Sequence, residues 1–178
     1  MATKRFLILA LVGLVGAANA NVFEFKDAAG FERCLSAKDV TDAAKPKRRL
    51  APGEVATRCL EQGLRLARED RAQIPEFVGI VQRNSAPENA LDLVALEVEA
   101  KPPACNETAN YEVLLAALAR PRDFPTPTGS YYRKAEGVLR RCVKDAEFLG
   151  DIKEERESSN KFVRENVQFF FKSNPAIR

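Results

Sequence analysis

The chain has 178 residues, of which 28 are lysine or arginine and 25 are aspartate or glutamate, giving a formal net charge of +3. It contains no histidine, which excludes Ser-His-Asp and Cys-His catalysis and zinc sites with histidine ligands. The near balance of charge gives no general attraction to nucleic acid, so we expect no nucleic-acid partner.

The first twenty residues have the pattern of a secretory signal peptide. Two basic residues at 4–5 precede an apolar run over 6–16, and residues 18–20 read Ala-Asn-Ala, a typical cleavage sequence. The apolar run is about half as long as the roughly 20 residues that a membrane-spanning helix needs. We therefore expect a periplasmic or secreted protein whose mature chain, 21–178, forms a single helical domain without a transmembrane span.

The predicted elements of the first quarter of the mature chain are an extended arm and two helices. Residues 22–25 alternate apolar and polar side chains, which favours a short extended segment. A short helix is predicted over 27–36 and a loop over 37–51. Apolar residues at three- and four-residue spacing predict a longer helix over 52–70, with Pro52 in its first turn.

Three further helices are predicted in the middle of the chain, over 75–83, 85–100 and 106–119. The second opens with Ser85 and Glu88, which have the spacing of a capping box. All three carry leucine, valine or alanine at helical spacing.

The last third is predicted to begin with a proline-rich loop over 120–129, followed by helices over 130–149 and 151–171. Gly150 marks either a break or a soft point between these helices. No convincing pair of strands is found. The fold class is therefore all-α, a compact bundle or short array of helical hairpins with about six helices.

Four cysteines, Cys34, Cys59, Cys105 and Cys142, predict two disulfides that staple this fold, because an even number is typical of exported proteins. Spacing alone leaves three pairings open. We favour Cys34–Cys59 with Cys105–Cys142, since each bridge then closes a short loop and pins one helical hairpin. Three of the cysteines directly follow an arginine, but neighbours on a helix point about 100° apart, so we expect structural staples rather than activated thiols.

Paired carboxylates are the catalytic chemistry that is hardest to exclude, since glycoside cleavage needs only two acids across a cleft. Glu97 with Glu99, or Glu147 with Asp151, are candidates. Most acidic residues, however, simply solvate a surface. Neither a glycine-rich phosphate loop nor metal-binding cysteine spacing is present, so we expect no catalytic residue, metal or cofactor.

Two loops are candidates for binding a partner. Lys45, Lys47, Arg48 and Arg49 concentrate positive charge in the first loop, where they could contact an anionic or acidic partner or simply be solvated. Phe124 lies in the proline-rich second loop. That loop could present the ring to an aromatic groove, or it could be a rigid linker between helices.

The third candidate is the run Phe169, Phe170 and Phe171 near the C-terminal end of the sequence. Three successive helical residues span about 200°, so one core-facing stripe cannot easily bury all three rings. Either the helix lies between two layers, or a phenylalanine face awaits a partner.

Together these features lead us to expect a non-enzymatic binding or scaffold subunit of a cell-envelope assembly, such as secretion, surface motility or cell-wall machinery. Its partners would be other envelope proteins. The alternative is a small carboxylate-dependent hydrolase that acts on envelope glycan.

Overall fold

The computed structural model describes residues 21–126 and 129–177, and this part of the chain is mainly helical. It forms eight α-helices, where about six were predicted, and four short strands. The helices are α1 (Ala28–Ser36), α2 (Pro52–Glu69), α3 (Ile74–Asn84), α4 (Leu91–Ala100), α5 (Thr108–Leu118), α6 (Tyr131–Cys142), α7 (Ala146–Glu154) and α8 (Lys161–Ser173). Single turns of 3₁₀ helix lie at Arg71–Gln73, Pro87–Ala90, Pro102–Asn106 and Glu155–Glu157. The predicted signal peptide lies outside the described residues.

The main error in the predicted helix boundaries concerns Gly150. This glycine lies inside α7, whereas the breaks fall on either side of that helix. The side chain of Asp145 accepts hydrogen bonds from the backbone N–H groups of Glu147 and Phe148, and so starts α7. Asn160 caps α8 in the same way. N-terminal caps of this kind define a helix start more strongly than one glycine ends a helix.

The predicted capping box at Ser85 and Glu88 is also wrong. A 3₁₀ turn over Pro87–Ala90 precedes α4, and the Ser85 hydroxyl instead accepts a hydrogen bond from the Asn89 side chain. Glu88 is buried and forms an ion pair with Arg120, which lies 32 positions further along the chain. A long-range charge pair has therefore taken the place of the local cap.

Both segments predicted to be loops contain a short antiparallel ribbon. In the first, β1 (Thr41–Asp42) pairs with β2 (Lys45–Arg49); in the second, β3 (Pro125–Thr126) pairs with β4 (Gly129–Ser130). The first ribbon is held by Asp42, a buried carboxylate that accepts from the backbone N–H of Ala44 and contacts Arg48 at 3.3 Å. The expectation that the chain lacks strand pairs was wrong.

The two disulfides are Cys34–Cys59 and Cys105–Cys142, which confirms the favoured pairing. The first joins α1 to α2, and the second joins the 3₁₀ turn at Pro102–Asn106 to the last residue of α6. All four cysteines are buried. Each bridge therefore cross-links one half of the described chain.

The core is arranged around α4, which packs against α2, α3, α5 and α6. In the N-terminal half, the Phe31 ring packs at a tilt against Phe77, with 4.8 Å between ring centres, and lies directly over Gly63. A Cβ atom at position 63 would come within 2.9 Å of the Phe31 ring, so this close approach of α1 to α2 requires glycine. Residues 22–25, predicted to be extended, instead begin with a turn and then bury Phe25 against Phe31.

The outer helix α8 packs on α5 through Val163, Val167 and Phe170, all of them buried. None of the helices within 21–126 and 129–177 combines the length and the apolar character that crossing a bilayer requires.

Candidate functional site

The three successive phenylalanines of α8 occupy three different environments. Phe170 is fully buried, so it belongs to the core and is not available to contact a partner. Phe171 is half-buried, with the Arg156 guanidinium 5.5 Å from its ring centre. Phe169 is 37% exposed, and Phe162, seven residues earlier on the same helix face, is 39% exposed. The outer face of α8 therefore presents two phenylalanines about 10 Å apart.

Phe169 is covered on one side by an arginine from the second loop. The Arg122 guanidinium carbon lies 3.8 Å from the centre of the Phe169 ring and 5.7 Å from the centre of Tyr132. Tyr132 meets Phe169 edge to face, at 5.8 Å between ring centres. We call Arg122, Tyr132 and Phe169 the Arg122 cluster. It brings together three residues that are up to 47 positions apart in sequence.

Asn166 fixes the position of the loop that carries Arg122. Its buried side chain donates hydrogen bonds to the carbonyls of Leu118 and Arg120, at 2.8 and 2.9 Å. Its Oδ1 accepts a longer bond, 3.4 Å, from Nε of Arg122. One amide on α8 thus satisfies the end of α5 and orients the arginine that follows it.

Phe124, the predicted contact of the proline-rich loop, belongs to a second group of stacked side chains. Its ring is 41% exposed and stacks on Tyr131 at 6.1 Å, with the Arg120 guanidinium 5.6 Å from its centre. The Tyr131 hydroxyl donates to Oδ1 of Asn89 at 2.6 Å, and burial raises the pKa of this tyrosine. Phe124 is therefore presented at the surface by groups that are themselves anchored.

An open depression of about 760 Å³ lies beside the Arg122 cluster, at the start of α6. Arg122, Tyr132 and Phe169 line it together with Asp123, Ser130, Arg133 and Glu136. Ser130 is the N-cap of α6, where its hydroxyl accepts from the backbone N–H of Arg133. Glu136 forms an ion pair at 2.7 Å with Arg140, one turn further along α6.

Tyr132 carries a buried hydroxyl with no hydrogen-bond partner, the only such side-chain group among the described residues. The residue is 4% exposed. Burial, with a smaller contribution from the Glu136 carboxylate, raises the pKa of its phenol to about 12, against the opposing effect of Arg122 and Arg140. A hydroxyl in this state is a donor without an acceptor.

Two of the four basic residues of the first loop are paired with neighbouring acids. Arg48 contacts Glu54 at 2.6 Å as well as Asp42, and Arg49 contacts Asp39 at 2.7 Å. Lys45 and Lys47 are exposed, and neither forms an ion pair within the described residues. Because two of the four predicted positive charges have acidic partners, the ribbon should attract an anionic partner less strongly than its sequence implies.

The carboxylates considered for glycoside cleavage serve different purposes. Glu97 is buried in α4, where burial raises its pKa while a 3.0 Å hydrogen bond from Asn110 lowers it. Glu99 is exposed. Glu147 and Asp151 are likewise exposed. In the part of the chain covered by the structure, no group of three acidic or cysteine side chains could hold a metal ion.

Comparison with protein-family models, with curated proteins and with solved structures gives no match. Sequence reasoning located Phe124 and Phe169 but missed Arg122, Tyr132 and Arg133. The available signal was the density of arginine and tyrosine in 120–133, on both sides of a Gly-Ser helix start.

Proposed function

We propose that this chain is an exported, non-enzymatic binding subunit of a cell-envelope assembly. It docks a protein partner through the outer face of α8, which carries Phe162 and Phe169, together with the Arg122 cluster, and Phe124 is a further candidate contact. Secretion, surface motility and cell-wall machinery are the settings that such a subunit would serve. The observation that carries the proposal is the exposed Phe169 ring with the Arg122 guanidinium stacked at 3.8 Å.

Arginine and aromatic side chains are the residue types that dominate binding energy at protein interfaces. An exposed cation–π contact contributes about 0.5–1 kcal/mol, which holds both groups in place before a partner arrives. Because Asn166 and the ion pair between the buried Glu88 and Arg120 anchor the loop, little side-chain freedom remains to be lost on binding. The face is thus preorganised for association.

Export is supported by two independent features. The residue pattern of 1–20 is that of a signal peptide. All four cysteines are paired in disulfides, which persist in oxidising compartments.

The test is capture of partners from the organism that encodes the chain, using two matched double variants. Replacing Phe162 and Phe169 by serine removes the exposed rings of α8, while replacing Lys45 and Lys47 by serine alters the basic ribbon instead. We expect the first variant to recover at least tenfold less of each partner, since hot-spot truncations cost about 2 kcal/mol or more. The lysine variant should capture normally.

Point substitutions are needed because a C-terminal truncation would remove Val167 and Phe170 from the core. Circular dichroism and thermal unfolding must show that both variants remain folded. Equal capture by the Phe162 and Phe169 variant and by the unmodified chain would refute docking through this face. Loss of capture in the lysine variant alone would move the interface to the ribbon.

A further inference from the structure

We infer that the depression beside the Arg122 cluster binds a carboxylate side chain of an acidic, partly apolar peptide segment in the protein partner. This inference rests on the proposed docking function and specifies the chemistry of the partner. It is carried by four features of the residues that line one opening: the guanidinium of Arg122, the unpartnered hydroxyl of Tyr132, the side chain of Arg133 and the N-terminus of α6.

The orientation of Arg122 leaves its remaining N–H donors without an acceptor in the part of the chain that the structure describes. Stacking on Phe169 fixes the plane of the guanidinium, and Nε is directed toward Asn166. Its two terminal nitrogens have no acceptor among the described residues. A planar guanidinium held in this way presents parallel N–H groups, which match the two oxygens of a carboxylate.

The Tyr132 hydroxyl is a second donor, and its lack of a partner is the independent sign of a missing ligand. The residue lines the depression, and the Arg122 guanidinium carbon lies 5.7 Å from the centre of its ring. A buried polar group without a partner is costly unless something supplies the missing bond. A ligand that brings a hydrogen-bond acceptor would supply it.

The start of α6 adds a favourable field. Gly129, Ser130, Tyr132 and Arg133 all line the depression, so the first turn of this 12-residue helix borders it. The N–H groups of a first turn carry partial positive charge, which favours an anion nearby. Arg133 is exposed and forms no ion pair with any described residue, so its charge is available as well.

The balance of charge favours a monoanion. The depression and its rim carry one net positive charge. This is the sum over three arginines and two acids: Arg122, Arg133, Arg140, Asp123 and Glu136. A carboxylate would neutralise this charge, whereas a phosphate dianion would exceed it. The exposed Phe169 at the same opening favours an apolar residue next to the acidic one. Acidic peptide segments combine both features, which is why we assign a peptide.

The experiment is a nuclear magnetic resonance titration of the mature chain with two capped pentapeptides. The acidic probe reads Leu-Glu-Phe-Asp-Leu, and the neutral control reads Leu-Gln-Phe-Asn-Leu. We expect the acidic peptide to shift the amide signals of Arg122, Tyr132 and Arg133 and to bind at least tenfold more tightly than the control. Hydrogen bonds to charged groups are strong enough to produce that difference.

Three variants test the assignment. Tyr132→Phe removes only the hydroxyl, and Arg122→Gln removes the charge; each should weaken the acidic peptide about tenfold. Arg156→Gln removes an arginine that stacks on Phe171 away from the depression, and it should leave the affinity unchanged. Equal binding of the two peptides, or an unchanged affinity in Tyr132→Phe, would overturn the carboxylate assignment.

Two further probes separate the sources of negative charge. Tighter binding of inorganic phosphate or of an oligomer of galacturonic acid than of the peptide would overturn a peptide ligand. The docking proposal is tested separately: it is refuted if the Phe162 and Phe169 double variant captures partners as well as the unmodified chain does. If capture depends on those rings while Tyr132→Phe changes neither capture nor peptide affinity, docking stands and only the carboxylate site is refuted.

Discussion

Replacing Tyr132 by phenylalanine should stabilise the free protein, although loss of a buried tyrosine hydroxyl usually destabilises. The ring is 4% exposed, and its hydroxyl has no hydrogen-bond partner within the described residues. Leaving a buried donor unsatisfied costs about 1–3 kcal/mol, and phenylalanine keeps the ring contacts with Phe169 while removing the donor. We expect a gain of about 1 kcal/mol in the free energy of unfolding, which corresponds to a rise of about 2–4 °C in Tm for a chain of this size.

The neighbouring Tyr131 provides a matched control. Its hydroxyl donates to Asn89 at 2.6 Å, so Tyr131→Phe should destabilise by about 1 kcal/mol. Urea unfolding of both variants, monitored by circular dichroism, measures the two changes under identical conditions. Changes of opposite sign in the free energy of unfolding of the two variants would support the difference in hydrogen bonding between these adjacent tyrosines. A loss of 1 kcal/mol or more in Tyr132→Phe would refute the reasoning, because it would mean that the hydroxyl already has a partner.

Three further predictions concern the fold. Gly63→Ala should destabilise the fold by about 1–3 kcal/mol because the new Cβ would meet the Phe31 ring at 2.9 Å. Gly150 lies inside α7 with open space around it, so Gly150→Ala should stabilise the fold by about 0.5–1 kcal/mol. Thermal unfolding in which both substitutions shifted Tm in the same direction would contradict this. Burial raises the pKa of Glu97, so this group stabilises the fold at low pH and its contribution is lost as the pH rises through the raised pKa. Glu97→Gln should therefore raise the urea midpoint at pH 7 relative to the midpoint at pH 4, compared with the same difference in the unmodified chain. An unchanged difference would refute this. Mass spectrometry of the protein purified from its host and digested without reductant should find peptides linked through Cys34–Cys59 and Cys105–Cys142. Replacing the second pair by alanine should lower the free energy of unfolding by about 2–5 kcal/mol, and a free thiol at any of the four cysteines would contradict the structure.

The helices were predictable from sequence where local signals agree. Pro52 begins α2 as its position implies, and apolar spacing located α1, α3 and α5 to within about two residues. The disulfide pairing followed from loop length and from the similarity of the two halves. The break near Gly150 was misplaced because the capping side chain of Asp145 outweighed a weak helix-breaking preference.

The candidate site was far less predictable, because it consists of contacts between distant positions. Glu88 had the local signature of a capping residue, yet its carboxylate is buried and forms an ion pair with the distant Arg120. Phe169 was recognisable as surplus apolar surface, but no local pattern indicates that Arg122 would stack on it. The environment of Tyr132 depends on α6, α8 and the second loop meeting at one place. Sequence patterns report the face of a single helix and do not report which loop will cover it.

Tyr132 connects the stability of the fold to its proposed use. A sequence selected for stability alone would place phenylalanine at this position, since the ring is buried and the hydroxyl bonds to no described group. Residues that lower stability and make no compensating contact in the free protein are typical of binding sites, where the ligand supplies the missing interaction. Tyr132→Phe should therefore raise Tm and weaken the acidic peptide in the same protein. A purely structural tyrosine would change only the first of these two quantities.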